Sequence, residues 1–217
     1  MNNYRKVIAG LVFAWFVFAL SASGLHLFDN ALNRIGVSVA FAAGLPIIAF
    51  FAWLAASERF RRFTFSLNPR LLTFLQTWRV VGIVFVILEA RQLLPARFAL
   101  PAGYGDIFIG ATAWFAAMRL AKPGNRALFI LWQTLGIADL VSAVALGVTA
   151  GLFQGAGPNM HPMTVLPLSL IPTFLVPLFL IIHVISIAQA SKWRKAESDG
   201  VSSRSGEPGQ VAGSVAA

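Results

Sequence analysis

The sequence contains no cysteine and little charge. No Cys occurs among its 217 residues, which excludes a disulfide framework, a thiolate zinc site, an iron–sulfur cluster and a cysteine nucleophile. Charged residues make up 12% of the chain, against roughly 25% in an ordinary soluble domain. Hydrophobic residues make up 58%, and the mean hydropathy is +0.75. The composition therefore excludes a soluble globular domain and predicts an all-α integral membrane protein.

Motifs that carry hydrolysis or nucleotide binding are also missing. The chain has no serine nucleophile elbow, no His-Glu-x-x-His, no phosphate-binding glycine loop and no Asp-rich magnesium pair. A haem would need two histidines at matching depth on facing helices, and His183 has no such partner. His26 and His161 could make at most a labile metal site with Met160, Met163 or Asp29. We expect no cofactor and no resident metal, and catalysis is the less favoured class of function.

Six apolar runs are long enough to cross about 30 Å of hydrocarbon, which needs roughly 20 helical residues. The runs are continuous and do not alternate with polar residues, which favours helices over barrel strands. The predicted spans are residues 7–25, 37–56, 71–94, 102–121, 127–150 and 165–189. They form one bundle of six transmembrane helices within residues 1–196, followed by a disordered cytoplasmic tail at residues 197–217.

Lys and Arg are concentrated in alternate connections between these spans. If the N-terminus is inside, the cytoplasmic segments carry 13 of the 17 positive residues. The outer connections carry only Arg34, Arg91 and Arg97. This positive-inside pattern predicts cytoplasmic N- and C-termini and a multi-pass protein of the inner (plasma) membrane. The net charge of +9 then indicates topology and not a nucleic-acid ligand.

The first span has a second interpretation. Arg5 and Lys6 precede an apolar run that ends in small residues, and this pattern also resembles a cleaved secretory signal peptide. Cleavage would leave five helices. The charges of the connections do not decide between the two.

Ionisable residues inside the spans predict a polar site. Each costs about 2.5–3.5 kcal/mol at the membrane centre, so these residues are expected to face the bundle interior. At the helical rise, Arg79 lies roughly 12 Å and Asp139 roughly 18 Å from the cytoplasmic end of their spans. Gln133 and His183 each lie roughly 9 Å from that end. We predict that these four residues form one inner polar site, with Arg79 reaching Asp139.

A second polar cluster is predicted near the outer face. Glu89 and Asp106 lie roughly 8 and 6 Å deep, close to Arg91 and Tyr104. Arg79 and Glu89 share a face of the third span, so one helix would link the two sites. Stripes of small residues share the faces of Asp106 and Asp139, and such stripes let helix backbones approach closely in lipid.

Arginine alternates with phenylalanine between the second and third spans. Arg59, Arg61 and Arg62 predict an interfacial anchor on anionic lipid headgroups. The same residue types stack on single-stranded nucleic acid, but one short segment beside lipid provides no groove. The bilayer is therefore the predicted partner, and nucleic acid is not.

The sequence leaves several classes of function open. The first hypothesis is binding or transport of a small solute or ion through the intramembrane Arg, Asp and Glu residues, with Glu89 and Asp106 as an outer gate. The alternative is a non-catalytic accessory or assembly subunit, or a homo-oligomer, whose small-residue stripes bind partner helices. A membrane enzyme acting on lipid or quinone is the third hypothesis. In a purely structural interpretation, the ion pairs only fix the register of the helices.

Overall fold

The computed structural model describes residues 2–29, 37–152 and 157–204, and within them it contains helices and turns but no β-strand. Because the backbone polar groups of an apolar run must be satisfied within the run, the runs fold as helices. The all-α fold class is confirmed. The α-helices are α1 (Asn2–Gly24), α2 (Val37–Ala56), α3 (Glu58–Ser66), α4 (Pro69–Leu75), α5 (Ile83–Ala90), α6 (Ala96–Phe115), α7 (Arg126–Leu152) and α8 (Val176–Arg204).

Five helical segments among the described residues are long and apolar enough to cross a membrane. They are Tyr4–Gly24, Ser38–Ala56, Pro69–Ala90, Pro123–Leu152 and Ile171–Trp193. The fourth predicted span, 102–121, falls on α6, which has 20 residues but is not among these five. Gly103, Tyr104, Gly105 and Asp106 follow one another in this helix and lower its hydropathy. The protein is thus membrane-embedded, and the count of six spans is not confirmed by hydropathy.

Two helix boundaries differ from the prediction because of proline. The sixth span was expected to begin at residue 165, but Pro167 lies in a turn and the helical segment begins at Ile171. Proline has no N–H to donate, so Pro172 and Pro177 are accommodated in the first turns after that start. Conversely, α6 begins at Ala96 and continues through Pro101, whereas the predicted fourth span begins at residue 102.

The third span is not a continuous α-helix. Between α4 and α5, residues Gln76–Gly82 form a 3₁₀ helix, a tighter coil with three residues per turn. This 3₁₀ segment packs against α6, which in turn contacts α5 and α7. Helix α8 packs against α7, α4 and α2. The bundle therefore encloses the middle of the third span on several sides.

Helices α1 and α2 lie at the edge of the bundle. Between Ser38 and Ala56 of α2 only Val39 and Phe50 are buried, and large apolar side chains such as Phe13 of α1 and Phe41 of α2 are 66% and 70% exposed. Exposed apolar surface of this extent is what a helix presents to lipid.

The end of the chain differs from its prediction in one respect. The disordered tail was expected from residue 197, but α8 continues as helix to Arg204. Residues 205–217 of that tail lie outside the described residues, as does Arg34 of the first outer connection.

Two glycines of α6 allow its backbone to touch the 3₁₀ segment. A Cβ at Gly103 would lie 2.7 Å from Cγ2 of Val86 and 3.1 Å from the carbonyl oxygen of Gly82. A Cβ at Gly110 would overlap the backbone nitrogen of Val80. The small residues of α6 are therefore used within this chain, as close contacts between its own helices.

Replacing Gly110 with alanine is expected to destabilise the protein by about 1–3 kcal/mol, because the new methyl group meets backbone that cannot rotate away. Gly10→Ala in α1 is the matched control, since a Cβ there meets nothing within 4 Å. Alanine is the better helix former, so this control should be neutral or slightly stabilised. Thermal unfolding in mild detergent measures both. Equal melting temperatures for the two variants would contradict the close contact of α6 with the 3₁₀ segment.

Candidate functional site

Arg79 lies at the centre of a buried ionic cluster. It belongs to the 3₁₀ segment and is 2% exposed. Its Nε donates to Oδ1 of Asp106 on α6 at 2.7 Å, and its Nη2 donates to Oδ2 of Asp139 on α7. Its Nη1 donates to the carbonyl oxygen of Gly136, also on α7, at 3.3 Å. One guanidinium therefore joins three helical segments.

A chain of hydrogen bonds leads away from Arg79. Nε2 of the fully buried His183 lies 3.3 Å from Nη1 of Arg79. Arginine can only donate, so Nε2 accepts, and the ring proton sits on Nδ1, which donates to Oε1 of Gln133. Nε2 of Gln133 donates to Oγ1 of Thr73 at 3.0 Å, and that hydroxyl donates to the carbonyl oxygen of Pro69 at 2.8 Å. The chain thus runs from the middle of the third span to the first residue of α4.

Each ionisable partner of Arg79 lies against a glycine. A Cβ added to any of these glycines would overlap the facing side chain, so the absence of a side chain lets the partner reach the guanidinium. The pairs are Gly82 with Asp106, Gly105 with Asp139, and Gly136 with His183.

The charges of the cluster do not balance. Arg79 contributes one positive charge, because a guanidinium stays protonated, and His183 is neutral in the tautomer that accepts from it. Asp106 and Asp139 contribute two carboxylates, whose side chains are 17% and 15% exposed. With both carboxylates ionised, the cluster carries one net negative charge. One small cation would neutralise it.

Asp106 also borders two cavities. The smaller cavity, of about 30 Å³, adjoins Arg79 as well and is large enough for one or two water molecules. The larger cavity, of about 110 Å³, is otherwise apolar and extends to Met160 and Met163. The smaller cavity therefore has room for water beside the carboxylate that pairs with Nε of Arg79.

The structure brings together the four residues of the predicted inner site, Arg79, Gln133, Asp139 and His183. It adds Asp106, which the sequence had assigned to the outer cluster. The depth of Asp106 was measured from a span starting at residue 102, but α6 starts at Ala96. Asp106 therefore lies roughly 15 Å along the helix, at the level of Arg79.

The other members of the predicted outer cluster stay apart. Arg91 caps the end of α5 and is exposed, while Glu89 is half-buried near that end. Tyr104 is 60% exposed. It is two residues from Asp106, which places it about 200° around the helix. These residues do not form a site with Asp106.

Thr73 and Gln76 are buried members of this polar region that the sequence analysis missed. Thr73 ends the hydrogen-bond chain, and Gln76 donates through Nε2 to the carbonyl oxygen of Phe179 at 3.3 Å. Gln76 and Arg79 are three residues apart in the 3₁₀ segment, so they lie one above the other, and Thr73 precedes Gln76 by the same interval at the end of α4. That spacing is the signal that could have revealed them.

Metal ligands are not assembled in the part of the chain that the structure describes. No group of three or more His, Cys, Asp or Glu residues occurs there in an arrangement that could hold a metal ion. Of the residues considered for a weak outer site, Nε2 of His161 and Oδ1 of Asp29 lie 3.1 Å apart. Two partly exposed groups supply too few ligands for a structural metal.

A bundle of apolar helices around a buried ionic cluster defines a helical membrane protein with an intramembrane polar site. A family model described as a domain of unknown function (DUF8737) matches residues 36–190, and the chain belongs to this family. The matched range contains every residue of the ionic cluster and begins after α1. No curated protein and no solved structure matches the chain.

Proposed function

We propose that this protein binds a small monovalent cation, a proton in the simplest case, at the ionic cluster and moves it across the membrane. The observation that carries the proposal is the presence of two carboxylates, Asp106 and Asp139, on one buried guanidinium, Arg79. Intramembrane acids beside a basic residue are typical of proton and ion pathways. The cluster carries one net negative charge, and this charge attracts a cation.

The carboxylates on Arg79 favour a proton over a metal ion. Asp106 and Asp139 can each take up and release a proton, whereas no group of three acidic or histidine ligands for a metal ion occurs among the described residues. The cavity beside Asp106 can hold water next to the cluster. The route we propose therefore takes a proton from water onto the two carboxylates, while Arg79 stays protonated and the chain through His183, Gln133 and Thr73 holds the guanidinium in place.

The orientation we propose follows the arginine and lysine distribution. Both termini lie in the cytoplasm, the membrane is the inner (plasma) membrane, and α6 crosses it as the fourth of six spans despite its lower hydropathy. This assignment is supported by Asp106, the acidic residue in the middle of α6, which pairs with Arg79 inside the bundle. A polar residue that faces the interior does not face lipid.

Single cysteines test this topology directly, because the natural chain has none and is its own cysteine-free background. Gln92 and Gly124 flank α6 and are exposed. We expect a membrane-impermeant thiol reagent to label Gln92→Cys only from outside the cell and Gly124→Cys only from the cytoplasm. Labelling of both from the same side would mean that α6 does not cross.

Proton flux into proteoliposomes tests the function. Purified protein is reconstituted with a trapped pH-sensitive dye, and a potassium gradient with valinomycin imposes a membrane potential. We expect the lumen to acidify faster than in protein-free vesicles. Cation transport would be contradicted if the flux equals that of empty vesicles. This result would have to hold for both polarities of the membrane potential and with either sodium or potassium as the driving ion.

A second candidate, an accessory or assembly subunit, is favoured by the exposure of α2. Between Ser38 and Ala56 that helix buries only two residues and leaves a long apolar face open to a partner helix or a second copy. Native mass spectrometry in mild detergent distinguishes the two functions. A stable complex with a larger membrane protein supports the subunit role, whereas a chain that runs alone contradicts it.

A further inference from the structure

An apolar crevice opens at the edge of the bundle, and none of its lining residues belongs to the ionic cluster. It has a volume of about 400 Å³, within the roughly 300–1,000 Å³ of ordinary small-molecule sites. Helices α1, α2 and α8 form its walls, and α3 closes one end. Its lining includes Leu11, Trp15, Ala49, Phe50, Ile182 and Ile185.

Aromatic side chains surround the end of the crevice at α3. The ring of Trp53 stacks on Phe60, with centroids 4.4 Å apart and planes inclined by 7°. Tyr4 meets Phe63 edge-on at 5.4 Å. Tyrosine and tryptophan concentrate where a membrane changes from hydrocarbon to headgroups, because each has an apolar body and a polar tip. This end of the crevice therefore lies at headgroup level.

A basic hollow of about 660 Å³ adjoins that end and shares Phe63 and the α3 helix with the crevice. Its other lining residues are Tyr4, Arg59, Arg62 and Ser66. Arg62 is held by Glu58 at 2.8 Å, and Arg59 is exposed. Arg61 is also exposed but does not line the hollow. Arg59 and Arg62 therefore lie on the face of α3 that lines the hollow, and Arg61 lies on another face.

We propose that the crevice and the hollow together bind one anionic glycerophospholipid. An acyl chain occupies the crevice, and the headgroup phosphate lies between Arg59, Arg62 and the hydroxyl of Tyr4. Guanidinium groups match phosphate oxygens in geometry, and the apolar crevice continues directly from the hollow. A general layer of lipid around the protein would not need a concave site with arginine on one face of α3. The proposal shares no residue with the ionic cluster and stands apart from the proposed transport.

Lipid binding is measured by native mass spectrometry of delipidated protein titrated with phosphatidylglycerol or phosphatidylcholine. We expect one phosphatidylglycerol to bind more tightly than phosphatidylcholine. Arg59→Gln should weaken that binding about fivefold, the effect of one basic residue at an anionic lipid surface. Arg61→Gln is the matched control and should bind as the natural protein does. Equal binding of the two lipids, or equal losses in the two variants, would overturn the proposal.

Glu58→Gln gives a test of opposite sign. Removing this carboxylate frees Arg62 from its ion pair, so the affinity for phosphatidylglycerol should rise. Unchanged or weaker binding would contradict a role for Arg62 in holding the headgroup.

The acyl chain is tested by filling the crevice. Ala49→Trp places a ring in the crevice, whereas Ala55→Trp changes the same helix outside its lining. We expect Ala49→Trp to lose bound phosphatidylglycerol and Ala55→Trp to retain it. Glycerol phosphate, which has the headgroup but no acyl chain, should not displace the lipid at millimolar concentration. Full displacement would mean that the hollow binds a free phosphate monoester and would overturn the assignment to a lipid.

Discussion

Replacing Arg79 with alanine is expected to destabilise the protein by about 3–5 kcal/mol, the cost of removing one partner from a buried ion pair. The variant loses the donors to Asp106, Asp139, Gly136 and His183. Two carboxylates would then face each other inside the bundle without a counter-charge. Unfolding of the detergent-solubilised protein in increasing denaturant measures the loss.

Arg79→Lys separates the charge from the geometry. A lysine keeps one positive charge but is a point donor on a flexible stem and cannot reproduce the planar fork of the guanidinium. It can pair with Asp106 or Asp139 but cannot join both while also meeting His183. We expect a loss of stability between those of the natural protein and the alanine variant. A lysine variant as stable as the natural protein would contradict the bridging role.

A triple variant provides the control for Arg79→Ala. Arg79→Gln combined with Asp106→Asn and Asp139→Asn replaces every charge of the cluster with a neutral amide. Replacing a whole buried ionic group is far less costly than removing one partner, so most of the lost stability should return. If the triple variant is as unstable as Arg79→Ala alone, the loss comes from packing and not from unpaired charge.

The positions of the helices could be predicted from hydropathy to within a few residues, because an apolar run in lipid has no alternative to a helix. The second span, 37–56, coincides with α2, and the fifth, 127–150, lies within α7. Two displaced helix starts, those of α6 and of the last span, lie next to proline. Pro101 continues a helix in one place and Pro167 precedes one in another. Local sequence does not distinguish these cases, because neighbouring helices decide whether the lost hydrogen bond is tolerated.

Side-chain depth and helical phase brought Arg79, Asp139, Gln133 and His183 into one predicted site, and the structure joins them by hydrogen bonds. The position of Asp106 could not be obtained in this way. Its depth depended on the first residue of α6, and an error of six residues at that end amounts to about 9 Å. The same error created an outer cluster that the described residues do not form.

The 3₁₀ segment had no signal in mean hydropathy, since an average over a window does not depend on the number of residues per turn. Its cause is tertiary. Gly103 and Gly110 bring the α6 backbone against Gln76–Gly82, and the polar residues spaced by three then fall on one line. Short 3₁₀ stretches within longer helices often mark functional hinges. Arg79 lies in this stretch, so a small change in its coil would move the guanidinium relative to both carboxylates.

Asp139→Asn is expected to abolish cation flux while leaving the protein folded. The amide keeps an oxygen that accepts from Nη2 of Arg79, and it reduces the net charge of the cluster from minus one to zero. The free energy of unfolding should change by less than about 1.5 kcal/mol, the net worth of one ordinary hydrogen bond. The cluster then has no unbalanced negative charge to attract a cation and no carboxylate on α7 to carry a proton. Acidification of reconstituted vesicles should fall to the rate of protein-free vesicles.

Glu89→Gln is the matched control for Asp139→Asn. Glu89 is also an acid within the third span, but it lies near the end of α5 and its side chain does not meet Arg79. The same loss of one charge there should leave flux unchanged. A loss of flux would instead support the hypothesis from the sequence that Glu89 is part of an outer gate. If Asp139→Asn and Asp106→Asn both retain full flux while Arg79→Ala unfolds, the ion pairs only hold the helices in register. In the proposed mechanism a bound cation neutralises the negative charge that Asp106 and Asp139 supply to the cluster. That outcome would therefore contradict transport through the cluster.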